Sequence, residues 1–168
     1  MLKACGIMHF LGVTGIVMPM GFGFLYPGLT GFDRVLGIEP LPFRWLLAML
    51  GVLLILPGLY LIIHSVTALG AQGKGAPAII HSQAVVKSDV YELVRHPMSL
   101  GMYLAALGAG LMAGSTYLTA ATALYFIPVH VFYLKYFEEL ELELRHGQSY
   151  NEYKQRTPFL IPRTLKRI

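Results

Sequence analysis

Glu92, Arg95 and His96 fall within one helical turn of each other, directly before Pro97 and a long apolar run. Pro97 suits the first turn of a helix, where its missing N–H would be unpaired anyway. The free N–H groups of such a turn, with Arg95 and His96, make a ready anion site. Ionisable groups at a bilayer boundary are costly without a partner, which makes them functional candidates. A snorkelling Arg95 with a simple helix cap would account for the same residues structurally, and both readings stay open here. A second cluster follows the last apolar run: Lys135, Glu138, Glu139, Glu141, Glu143 and Arg145. Glu141 and Arg145 stand at i,i+4 in the favoured order. Glu141 and Glu143 are expected on a solvated face. Glu138 and Glu139, nearer the bilayer and Lys135, are the better site candidates. The one cysteine, Cys5, and the lack of a CxxC or CxxH pattern give no metal centre. The glycine-rich piece from Gly70 to Pro77 lacks the spacing of a phosphate-binding Walker loop.

The elements that position these residues follow from hydropathy. The 168 residues are 55% hydrophobic and only 13% charged, with a mean hydropathy of +0.59. A soluble domain carries about 25% charged residues. The chain reads as one all-α, polytopic membrane bundle (1–168) of about four transmembrane helices with a cytosolic C-terminal helical extension. Residues 4–26 form an uncharged, glycine-rich span retained in the protein, with His9 bonded to a neighbouring helix. Arg44 and Trp45 anchor a second span at 45–63, kinked at Pro57-Gly58. From His64 the chain turns polar. Residues 99–134 carry no formal charge, too many for one crossing at about 1.5 Å per residue. Gly114-Ser115-Thr116 divides them into a hairpin: 97–113, then 117 to about 145, with 117–137 in the membrane and a bend at Pro128. Gly147 ends that helix. Tyr150, Tyr153, Pro158 and Pro162 then give a tail able to fold back over the site.

With four spans, eleven lysines and arginines lie on one side of the membrane and two, Arg34 and Arg44, on the other. The positive-inside rule places both termini and the site in the cytoplasm. The net charge of +4 gathers near the C-terminus and suits an anionic membrane surface. No basic-aromatic stripe points to nucleic acid.

Several pieces fit one family. Val85 to Tyr91, Arg95-His96-Pro97, Glu138-Glu139, Gly147-x-x-Tyr150-x-x-Tyr153 and Thr157-Pro158…Pro162 resemble the isoprenylcysteine carboxyl methyltransferases and the related phospholipid N-methyltransferases. Gly73-x-Gly75-Ala76-Pro77 resembles the Gly-x-Gly-Thr-Pro stretch of bacterial members. The resemblance covers about residues 73–162, and the first two spans carry no motif. It implies S-adenosylmethionine as cofactor, bound by Gln83, Ala84, Val85, Val86, Tyr91, His96, Pro97, Met98, Ser99 and Glu139. It places Arg95, Lys135 and Glu138 in catalysis, with Lys135 where prenylcysteine enzymes carry an Arg that serves the substrate. Asp89 stands where the family has Gly, and Ser99 where it commonly has Tyr.

The chemistry agrees with that implication. A buried Glu can pair with an ammonium, and a helix N-terminus with a basic side chain can take a carboxylate. Methyl transfer is an in-line displacement, so positioning and water exclusion are the main tasks. An ionised carboxylate acceptor needs no base. An amine does, and Glu138 or Glu139 could serve. The expected partners are the membrane and a lipid, prenylated or other small hydrophobic acceptor. Two rivals share the architecture: a protein with a decayed site, and a sterol-reductase-like NADPH enzyme. The latter usually has Asn-Tyr and Gly-Asp after the turn, where this chain has Met98-Ser99 and Gly101-Met102.

Overall fold

The computed structural model describes residues 31–73 and 84–162, and the regular structure among them is all helical. The span expected at 4–26, with His9, lies outside the described residues, as does Gln83.

A short helix α1 (Gly31–Val35) leads to α2 (Arg44–Gly73). Strong helix formers and the absence of charge carry α2 across the predicted span. It does not stop at residue 63 as expected but continues ten residues further. The polar side chains there do not break it. Ser65 Oγ donates to Leu61 O at 2.6 Å and Thr67 Oγ1 to Ile63 O at 3.0 Å, so both hydroxyls are satisfied by the helix itself. Trp45, Leu46, Met49, Leu53 and Leu56 are exposed along α2. A helix apolar on its outward side needs lipid there.

α3 (Val90–Leu93) precedes α4 (Pro97–Ala113), which starts and stops at the predicted residues, with Pro97 in its first turn. Gly114, at φ 67°, ends α4 in a left-handed cap. The last long helix, α5 (Thr116–His146), is continuous but contains two π-helical turns, Thr122–Phe126 and Leu134–Glu138. The first lies just before Pro128, where the bend was expected. α2 and α5 are long and apolar enough to cross a membrane; α4, at 17 residues, is apolar but shorter. α6 (Gln148–Arg156) follows Gly147, whose φ is 55°.

α2 packs along α4 through two glycine pairs. A Cβ on Gly108 would lie 2.5 Å from Gly51 O, and one on Gly101 would lie 2.6 Å from Gly58 O. The backbones touch, which dispersion and the small residues alone permit in lipid. At the α1 end, buried Asp33 holds the hairpin turn. Its Oδ2 accepts from Ser115 Oγ at 2.5 Å and its Oδ1 from Tyr117 N at 2.7 Å. Ser115 Oγ in turn accepts from Leu118 N at 3.1 Å, capping α5.

Candidate functional site

The site lies at the other end of α4. The turn before it is closed by Tyr91 N–H donating to Ser88 O. Val90 and Val94 are buried beneath this turn and fix it to the core. The chain then runs extended through Val94 into His96, the residue that caps α4. Here the C-terminal tail returns. Arg95 N donates to Pro158 O at 2.8 Å and His96 N to Phe159 O at 3.3 Å. The Phe159 ring covers both side chains, 5.5 Å from the Arg95 guanidinium and 4.9 Å, edge-on, from the His96 imidazole. The fold-back read from the sequence is therefore a backbone-paired contact.

Glu139 is the centre of the charge cluster and is only 3% exposed. Its Oε1 lies 3.0 Å from Arg95 Nη1 and 3.5 Å from His96 Nε2, and its Oε2 lies 3.0 Å from Lys154 Nζ. Lys154, on α6, also donates to Glu143 Oε1 at 2.6 Å. That bond and the Glu139 carboxylate hold the Lys154 ammonium above the usual lysine value. Glu138 Oε1 is 3.7 Å from His96 Nδ1. Glu139 N–H bonds Leu134 O, five residues back, through the second π turn of α5. Such an insertion rotates all later side chains by about 100°. It sets which glutamates turn inward.

α6 closes the cluster with two tyrosines. Tyr153 OH donates to Tyr91 O at 2.7 Å, tying α6 to α3. Burial and the Glu138 charge push the Tyr91 phenol up to about 12, so it is a donor at neutral pH. Burial likewise raises the Tyr150 and Tyr153 phenols.

The pairing inside the cluster is incomplete. Arg95 Nε and Nη1, His96 Nε2, Glu139 Oε1 and Tyr150 OH are buried with no hydrogen-bond partner among the described residues. Arg95 and Glu139 are close enough to attract but not aligned to bond. Each unsatisfied buried polar group costs about 1–3 kcal/mol. A ligand carrying both a carboxylate and an ammonium would satisfy these donors and this acceptor together.

Of the residues predicted from the sequence, Arg95, His96, Glu138 and Glu139 come together. Tyr91 joins them through α6, and Pro97 and Ser99 are buried beside them in the first turn of α4, with Met98 half-buried. Val86 is buried, Val85 half-buried and Ala84 exposed. Lys135 is exposed, its ammonium 5.8 Å from the Tyr136 ring, and the ion pairs of the cluster do not include it. Glu141, expected in solvent, is instead buried and paired with Arg145 one turn on. Glu143 is half-buried against Lys154. Lys154 was missed. Its signal was its place in the Gly147-x-x-Tyr-x-x-Tyr piece, beside a tyrosine that had to face inward.

Among the described residues, no group of three or more His, Cys, Asp or Glu side chains could hold a metal ion. Residues 46–149 match the family model of the phospholipid methyltransferases. The chain is also similar to methanethiol S-methyltransferase 2 of Bradyrhizobium diazoefficiens, 35% identical over 78 residues, which are 46% of this chain and 29% of that protein. It thus spans less than a third of that relative's length. No solved structure matches it. With more than half of its length matched, and with the turn and acidic pair of the motif brought together in the fold, the chain belongs to the phospholipid methyltransferase family.

Proposed function

We propose that the chain is an integral membrane methyltransferase that uses S-adenosylmethionine and methylates a lipid-like or other small hydrophobic acceptor at the cytosolic membrane face. One observation carries the reading: the Arg95–His96–Glu139 cluster, capped by Lys154 and closed by the tail, whose ion-paired donors and acceptor make no aligned hydrogen bond with one another. These suit the amino-acid end of the cofactor. Arg95 and the first turn of α4 would take its carboxylate, and Glu139 its ammonium. Lys154 keeps Glu139 ionised and oriented. The cofactor supplies an electrophilic methyl on a sulfonium. The chain's own work is to bind, align and exclude water, and Phe159 with α6 provides the cover.

The cofactor-binding part would be residues 73–162 of a single membrane domain. Val85, Val86, Tyr91 and the 96–99 turn would line it, with Gln83 and Ala84 at its edge. Glu138, which faces His96, would act at the acceptor side, with Arg95 holding the cofactor beside it. The exposed position of Lys135 suits a substrate headgroup approaching from the interface better than the cofactor. Four spans, at 4–26, 45–63, 97–113 and 117–137, would place both termini in the cytoplasm. The similarity to a methanethiol S-methyltransferase makes a thiol a candidate acceptor besides lipid amines and carboxylates.

Calorimetry on the detergent-purified protein tests the reading. S-adenosylmethionine should bind saturably, and Glu139→Gln should weaken it by at least about tenfold, the loss of one charge-assisted bond. NADPH should not bind. Binding of NADPH alone would favour a reductase, and binding of neither to folded protein would mean a decayed site.

A further inference from the structure

Polar groups continue inward from the ionic cluster. His96, Ser99 and Tyr103 are buried and spaced to share one face of α4. Across from them on α5 stand Phe126, His130, Tyr133 and Phe137, at helical spacing. His130 stacks between Phe126, at 5.5 Å, and Tyr133, at 6.1 Å, and Tyr133 stacks on Phe137 at 5.8 Å. Glu138, next in the chain, faces the Nδ1 side of His96 at 3.7 Å. The strip therefore runs from the cofactor end into the bundle. At its inner end Tyr103 OH meets His130 Nδ1 at 2.9 Å, across the two helices.

Ring stacking alone does not call for an imidazole here; Phe would stack as well, at no desolvation cost. A histidine inside an apolar span, hydrogen-bonded to a tyrosine at the end of a polar strip, is a functional candidate.

We propose that the Tyr103–His130 pair takes the proton from a neutral thiol that accepts the methyl group. This rests on the methyltransferase reading above. The thiol sulfur forms a bond to the methyl carbon as the sulfonium carbon–sulfur bond breaks, and that electron pair stays on the departing sulfur as a neutral thioether. The thiol proton passes to Tyr103 Oη while the phenol proton moves to His130 Nδ1. The positive charge lost from the sulfonium reappears on the imidazolium. No net charge is created in a low-dielectric interior, where it would be expensive. The other titratable groups facing the pair are His96 from α4 and Tyr133 and Glu138 from α5.

The test compares two probes, ethanethiol, which is protonated at neutral pH, and thiophenol, which is largely ionised. Wild-type protein should methylate both. At pH 7 Tyr103→Phe and His130→Phe should each lose about 10²-fold in kcat with ethanethiol, the usual contribution of a positioned base. The deficit should shrink as pH rises toward the thiol's own pKa. With thiophenol both variants should stay within about threefold of wild type, because a thiolate needs no base. Their affinity for S-adenosylhomocysteine, read by calorimetry, should be unchanged, which also shows that they fold. Equal loss with both acceptors, a loss independent of pH, or loss of S-adenosylhomocysteine binding would assign the pair a structural role and overturn the proposal. Wild-type protein that methylates only ionised acceptors would overturn it too, while leaving the methyltransferase standing. Wild-type protein that binds no S-adenosylmethionine would remove the reading beneath it.

Discussion

At the residue scale, Asp89 shows how the backbone explains a sequence departure. It sits at φ 58°, ψ −134°, the first inner position of a turn closed by Tyr91 N–H to Ser88 O. Glycine is the standard residue there, since any Cβ is crowded at such angles. The sequence marked Asp89 as standing where the family carries Gly; the structure supplies the reason. Strain of this kind costs about 1–3 kcal/mol. Asp89 recovers part of it through His64 Nδ1 at 3.1 Å, but both side chains are about 40% exposed, and exposed pairs give about 0–1 kcal/mol. Asp89→Gly should therefore raise stability by up to about 1 kcal/mol, whereas Asp89→Ala, strained and without the pair, should lower it by a similar amount. Thermal melts of the two variants in detergent check the order. Both changes leaving stability equal would mean that the turn is not strained. The glutamates were less legible. Spacing paired Glu141 with Arg145 but put Glu141 in solvent, because a π turn is invisible in a helical wheel and shifts every later residue.

At the element scale, the hairpin was largely readable: Pro97 starts α4 and Gly114 ends it as expected, while α5 begins at Thr116, one residue before the expected Tyr117, because Ser115 caps it. These are local rules of backbone chemistry, and the local sequence carries them. The register between helices was not read, though a signal was present. Gly51 and Gly58 are seven apart, as are Gly101 and Gly108, and in an antiparallel pair they meet as 51 with 108 and 58 with 101. Each Cβ would meet backbone, which cannot swing aside as a side chain can. Gly108→Ala should thus force α2 and α4 apart and cost about 1–3 kcal/mol, the range for overpacking a tight core. Gly70, also in α2, has nothing within 4 Å of its would-be Cβ. Gly70→Ala should be neutral or stabilising by up to about 1 kcal/mol. Melting both variants side by side separates close approach from helix propensity. A tolerated Gly108→Ala would show that the helices are free to slide.

At the scale of the whole molecule, the chain has two chemically different ends. α4, with 17 residues, separates them by roughly 25 Å, close to the hydrocarbon thickness of a bilayer. One end holds the Asp33–Ser115 cap and the contact of Leu41 N with Gly114 O. The other holds the ionic cluster and the returning tail. Basic residues divide the same way: Lys87, Arg95, Arg145, Lys154 and Arg156 lie with the cluster, Arg34 and Arg44 with the cap. The charge bias was countable from sequence alone. That the tail pairs by backbone with Arg95 and His96 was suggested by its tyrosines and prolines, but the pairing depends on contacts some sixty residues apart and only the fold supplies it. If the basic end faces the cytoplasm, residues at the two ends must be reached from opposite sides. Glu39 and Gln155 are exposed, one at each end. With Cys5→Ser as background, Glu39→Cys in intact cells should react with a membrane-impermeant maleimide. Gln155→Cys should react only after permeabilisation. The reverse pattern would invert the orientation and put the site outside the reach of a cytosolic methyl donor. Labelling of both positions from one side would mean that α2, α4 and α5 do not together carry the chain across the bilayer an odd number of times, and the bundle would have to lie differently in the membrane.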